Sequence, residues 1–84
     1  MTENNRNTPN ELDEMFPAQK ARIHDLKLGN AHFARLASAY HEVNRLVHRM
    51  ETEVEPASDE RMETARKQRL KLLDEIQAML SKGH

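Results

Sequence analysis

The chain has 84 residues, 32% charged and 37% hydrophobic, with a mean hydropathy of -0.92, a net charge of -1 and no cysteine. That length allows one small domain, and the missing cysteine excludes a disulfide framework, a thiolate metal site and a cysteine nucleophile. No apolar run exceeds three residues (Ala78-Met79-Leu80), far short of a membrane span, and the near-neutral balance gives no electrostatic case for nucleic acid or anionic lipid.

Residues 1–14 carry one base and four acids and read as a disordered acidic tail, polar and without period over 1–9. At its end Asn10-Glu11-Leu12-Asp13 can cap a single turn that sets Leu12, Met15 and Phe16 on one side. Met1-Thr2-Glu3-Asn4-Asn5-Arg6 lacks the basic-then-apolar layout of a signal peptide, so the cytoplasm is the expected compartment. A single domain over 15–84 follows. Two glycines and three prolines are too few for a turn-rich β fold, and good helix formers dominate from residue 18 onward.

Pro17 ends the first turn and suits the first position of a helix over about 17–28, with Ile23 and Leu26 apolar. Leu28-Gly29-Asn30 is a break or a sharp kink, since glycine accepts the left-handed conformation past a helix end and asparagine caps the next helix. A second helix covers about 31–53. Its apolar positions 33, 36, 40, 43, 47, 50 and 54 alternate by three and four, the pattern of a coiled-coil seam. Pro56 bars continuation, Ser58 is the natural N-cap of the last helix, and Asp59 and Glu60 favour its dipole. That helix runs over about 59–81 and stops near Gly83.

A short connection makes the two long helices antiparallel. If paired residue numbers sum to 112, Met50 faces Met62, Val47 faces Ala65, Tyr40 faces Leu72, Leu36 faces Ile76 and Phe33 faces Met79. The remaining pair sets Val43 against Arg69, whose methylenes can lie along the valine while the guanidinium turns toward Asn44 or Glu42. The expected fold is therefore all-α, a coiled-coil-like antiparallel hairpin with a short preceding helix and a disordered N-terminal tail. Ile23, Leu26, Leu28, Leu46 and Leu70 fall off or before the seam and form the expected interface.

Phe16-Pro17, Ile23-His24-Asp25-Leu26-Lys27, Asn30-Ala31-His32-Phe33-Ala34-Arg35-Leu36, Tyr40-His41-Glu42-Val43-Asn44 and His48-Arg49-Met50-Glu51 occur in this order. With Ser58-Asp59-Glu60 and Arg69-Leu70-Lys71-Leu72-Leu73-Asp74-Glu75-Ile76, they resemble the YdcH-like family of small bacterial proteins, catalogued as a domain of unknown function. The resemblance covers about residues 16–80. It implies a cytoplasmic, bacterial helical hairpin and brings no activity, cofactor or catalytic residue. The family usually has aspartate where this chain has Asn44 and lysine where it has Leu73, and Arg69 matches a family lysine. Any aspartate–lysine seam pair would here become an asparagine–arginine contact.

Candidates for chemistry are weak. His41 and His48 stand seven apart, about 10 Å along a helix, too far for one ion, and they take outward positions where solvation is expected. Arg66, Lys67, Arg69 and Lys71 are the one basic cluster, but about 100° per residue spreads them round the cylinder, with Glu63 able to pair with Lys67. No serine lies in a glycine elbow, Asp74 and Glu75 diverge, and a hairpin offers no enclosed pocket. No enzyme activity, metal, cofactor or small-molecule substrate is expected. Two helices do not enclose a core alone, so a protein-interaction or self-association module, a homo-oligomer or a partner of another protein, is the expected function. Its structural rival is a first helix folded back over the open end of its own hairpin; the functional rival is a nucleic-acid-associated accessory protein using residues 66–71.

Overall fold

The computed structural model describes residues 9–52 and 56–82. In chain order they form α1 (Leu12–Met15), a 3-10 turn at Pro17–Gln19, α2 (Lys20–Gly29), α3 (Ala31–Glu51) and α4 (Asp59–Lys82), with no strand among the described residues. The expected helix end at residue 53, the turn residue Glu55, the stop at Gly83 and the tail residues 1–8 lie outside them.

One residue separates α2 from α3. Asn30 is extended (φ -137°, ψ 107°). Its N–H donates to Leu26 O at 2.9 Å and closes α2, while its Oδ1 accepts from Phe33 N–H at 3.0 Å and opens α3. Gly29 is not left-handed, and open space lies where its Cβ would stand. The break is thus made by the asparagine, not by a glycine stop. Gly29→Ala should therefore stabilise the protein by about 0.4–1 kcal/mol although the helix is interrupted, and Asn30→Ala should destabilise it by about 1 kcal/mol. Urea unfolding of the two variants reads both signs.

At the other end of the hairpin Thr52 closes α3, its N–H and Oγ1 both donating to His48 O at 3.0 and 2.9 Å. Ser58 starts α4, with Oγ accepting from Arg61 N–H at 3.1 Å. The two long helices pack along their length. Near the connection Val47, Met50 and Ala65 are buried, with Val43, Leu46, Ala57 and Met62 against them. Toward the open end Phe33, Leu36, Ala37, Tyr40, Ile76 and Leu80 are buried together, with Leu72, Leu73 and Met79 alongside.

The open end is closed by the chain's own N-terminal part. Leu12 of α1 and Ile23 of α2 are buried in that same cluster, and Phe16 and Leu26 pack on it. Ile23 therefore lies in the intramolecular core, where the sequence reading had set it in an interface, and Leu26 leans on the same core. Leu46 is likewise half-buried against its own hairpin. The tail boundary moves as well. The single turn expected after Asn10 is present as α1, with Leu12 buried, so residues 9–14 belong to the fold and not to the disordered tail assigned over 1–14. Glu14 and Met15 N–H both donate to Glu11 O at 2.9 Å, and Asn10 adopts φ 63°, a left-handed conformation that asparagine tolerates. The turn forms because Leu12 has a core to enter.

Candidate functional site

Where the segment leading into α1, residues 9–11, lies on α3, a polar cluster holds it there. Tyr40, Asn44 and Ala37 stand on one side of the seam, at helical spacings of four and three. The Tyr40 hydroxyl donates to Asn10 O at 2.6 Å. Asn44 Nδ2 donates to Pro9 O at 2.7 Å and, more weakly, to Glu11 Oε2 at 3.4 Å. Its Oδ1 accepts from the Arg69 guanidinium at 3.0 Å. His41 Nδ1 lies 2.8 Å from Glu11 Oε1. Asn44 is wholly buried, and every polar atom of its amide has a partner, as a buried polar group requires. Two backbone carbonyls, one carboxylate and an arginine thus converge on one amide and one phenol.

Burial raises the Tyr40 pKa above 10.0, with the nearby Arg69 charge pulling it down and Glu11 pushing it up. A raised phenol pKa means that the folded state keeps its proton where the unfolded chain has lost it. The contribution is fully present below pH 10 and is lost as pH rises past that value through the folded pKa. Tyr40 is the only tyrosine, so its absorbance can be titrated directly. The midpoint should lie above 10 in buffer and return to about 10 in urea. Tyr40→Phe should cost about 1 kcal/mol at neutral pH and reduce the alkaline loss of stability.

Beside the cluster, Glu11, Leu12, Asp13, Lys27, Ala34, Ala37, Ser38 and His41 line an open cleft of about 530 Å³. The acid–base groups here serve the α1–α3 contact, and His41, expected to be merely solvated, is tied to Glu11. Among the described residues no group of three metal-ligating side chains could hold an ion. No helix among the described residues is long and apolar enough to cross a membrane.

The other surface feature is apolar. Leu70 is 58% exposed and Met15 40%, and both line a shallow groove with Leu73, Arg66 and Arg69. Leu28 is 76% exposed on α2. Of the five residues expected at an interface, Leu28 and Leu70 are the two in solvent. Arg66 reaches across the hairpin to Glu51 Oε2 with Nε at 3.2 Å and Nη2 at 3.0 Å. Lys67 stands 3.9 Å from Glu63, while Arg69 is turned inward.

On the seam, Phe33, Leu36, Tyr40, Val47, Met50, Ala65 and Ile76 are buried, and Val43, Met62, Arg69, Leu72 and Met79 are half-buried. Sequence reasoning missed Asn44, Ala37 and Leu80 as core positions. The spacing Ala37-Tyr40-Asn44 carried that signal, a second face continuing the seam by three and four, but the amide broke its apolar pattern.

A family model described as "Protein of unknown function (DUF465)" matches residues 33–80, more than half of the chain. The chain belongs to the DUF465 family. YdcH-like proteins belong to it too, so the resemblance read from the sequence and the matched family agree. The DUF465 match spans the α3–α4 hairpin from Phe33 to the buried Leu80. The α1 turn and α2 lie before it. No curated protein and no solved structure matches the chain.

Proposed function

We propose that this DUF465 protein is a protein-interaction module that associates with itself, using apolar surface left on the outside of a closed three-helix core. The observation that carries the reading is Leu70, 58% exposed in the middle of the longest helix and bordered by Met15 and Leu73. Single exposed leucines are ordinary. Here three apolar side chains from two elements adjoin, which is the makeup of a small contact patch. The basic cluster gives the nucleic-acid reading less support, because Arg69 is spent on Asn44 and Arg66 on Glu51.

Leu70→Glu tests the reading. Leu70 lies outside both buried clusters, so the variant should keep the parent's melting temperature when compared as a monomer. Burying a leucine contributes up to roughly 3 kcal/mol, and a symmetric dimer buries two. Sedimentation equilibrium should find the parent dimeric at micromolar concentration and the variant monomeric at more than a hundredfold higher concentration. A parent that is monomeric at high micromolar concentration overturns the proposal.

A further inference from the structure

We infer that the partner is a second copy docked antiparallel on α4, about a two-fold axis that runs between the two helices at the level of Leu70. This rests on the self-association reading above and adds the register and the charges that select it. The core face of α4 is marked by the buried Ala65, Ile76 and Leu80. At about 100° per residue Leu70 points well away from that face. Its two flanks differ. Lys67 and Asp74 lie about 60° and 40° to one side of it, and Arg66 and Leu73 about 40° and 60° to the other. Met15 adjoins this second flank, in the groove shared with Leu70 and Leu73.

A two-fold axis perpendicular to a helix reverses the helix direction and keeps each flank on its own side. Lys67 lies about 4.5 Å before Leu70 along the axis and Asp74 about 6 Å after it. Across the two-fold these positions coincide to about 1.5 Å, within the reach of a lysine. Lys67 of each copy therefore meets Asp74 of the other, twice per dimer. On the opposite flank the same operation brings Leu73 over the aliphatic stem of Arg66, whose guanidinium is already drawn off to Glu51. Leu70 meets its own copy at the centre, and Glu63 meets the neutral Gln77. A parallel two-fold swaps the flanks and would set Lys67 beside Arg66 and Asp74 beside Leu73, so the charges select the antiparallel pairing. Lys71 points about 100° away from Leu70 and stays at the rim. Lys67 and Asp74 are both exposed, and Lys67 makes a loose ion pair with Glu63 at 3.9 Å.

The test is a charge exchange in the full chain. Lys67→Glu and Asp74→Lys should each weaken self-association roughly tenfold or more, because two attractive pairs become two repulsive ones. Mixed in equal amounts, the two variants should form a heterodimer at the parent's affinity, since both charge pairs are then attractive again. The readout is sedimentation with one variant carrying a mass tag, and matching circular-dichroism melts show that each variant folds. As a second readout, Leu70→Cys in this cysteine-free chain should oxidise rapidly to a disulfide dimer, and Gln68→Cys should not. A dimeric parent whose affinity ignores both charge reversals, or whose variants mix without pairing, overturns the register and leaves self-association standing. A monomeric parent overturns both.

Discussion

Asn44→Ala should lower stability by about 2–4 kcal/mol and should release the α1 turn before the hairpin melts. The amide is wholly buried and serves three partners: it donates to Pro9 O at 2.7 Å and weakly to Glu11, and it accepts from Arg69 at 3.0 Å. Alanine leaves the carbonyl and the guanidinium without that partner. Groups orphaned in this way cost about 1–3 kcal/mol each, less where water reaches them. Arg69 is half-buried and can turn outward, which sets the upper end of the range. Urea unfolding gives the total. Amide exchange at Glu14 and Met15, whose N–H groups bond Glu11 O, reports the α1 turn separately. A loss under 1 kcal/mol, or unchanged protection at those amides, would contradict the assignment.

Asn44→Asp separates the two halves of that role. Aspartate keeps an acceptor for Arg69 and strengthens it with charge. It cannot donate, so its second oxygen faces the Pro9 carbonyl and the Glu11 carboxylate. The expected result is a hairpin as stable as the parent's with a loosened α1 turn. Asparagine at 44 thus fits a chain whose N-terminal segment returns to α3.

The hairpin was legible because its signal is local and repeated: an unbroken three-four alternation from Phe33 to Met50, a proline at 56 and a serine cap at 58. The α2–α3 break was legible for the same reason, with Asn30 supplying a cap that its sequence neighbours announce. Of the polar cluster only the Arg69–Asn44 contact was legible, from the arginine on the seam; the rest was not, because its partners are backbone carbonyls of Pro9 and Asn10, 35 and 30 residues from the side chains that bind them. A carbonyl has no sequence signature. Leu46 and Leu70 show the same limit. Both lie off the alternation, yet Leu46 leans on Val47, Met50 and Ala65 while Leu70 stands in solvent. Periodicity gives the distance from the seam and not which shoulder of the hairpin is covered. At the open end the cover came from α1 and α2, whose apolar residues are too few to specify a direction.

Ile23→Ala distinguishes a core residue from an interface residue by its dependence on concentration. Ile23 is buried among Phe33, Leu36, Ile76 and Leu80 of its own chain, so its truncation leaves a cavity inside one protomer. Large-to-small changes of this kind cost about 2–5 kcal/mol. Small domains have roughly 5–15 kcal/mol in total, so this is a large share. The loss should be the same at one micromolar and at several hundred, because the cavity opens whether or not a second copy is present. Leu70→Glu should behave in the opposite way, altering the melting curve where the parent is associated and leaving it unchanged where it is not. If the Ile23→Ala deficit instead shrinks on dilution, α2 packs on a neighbouring chain and the three-helix core is shared between protomers. A deficit that holds across the range places α2 in the monomer and leaves α4 as the face that meets another copy.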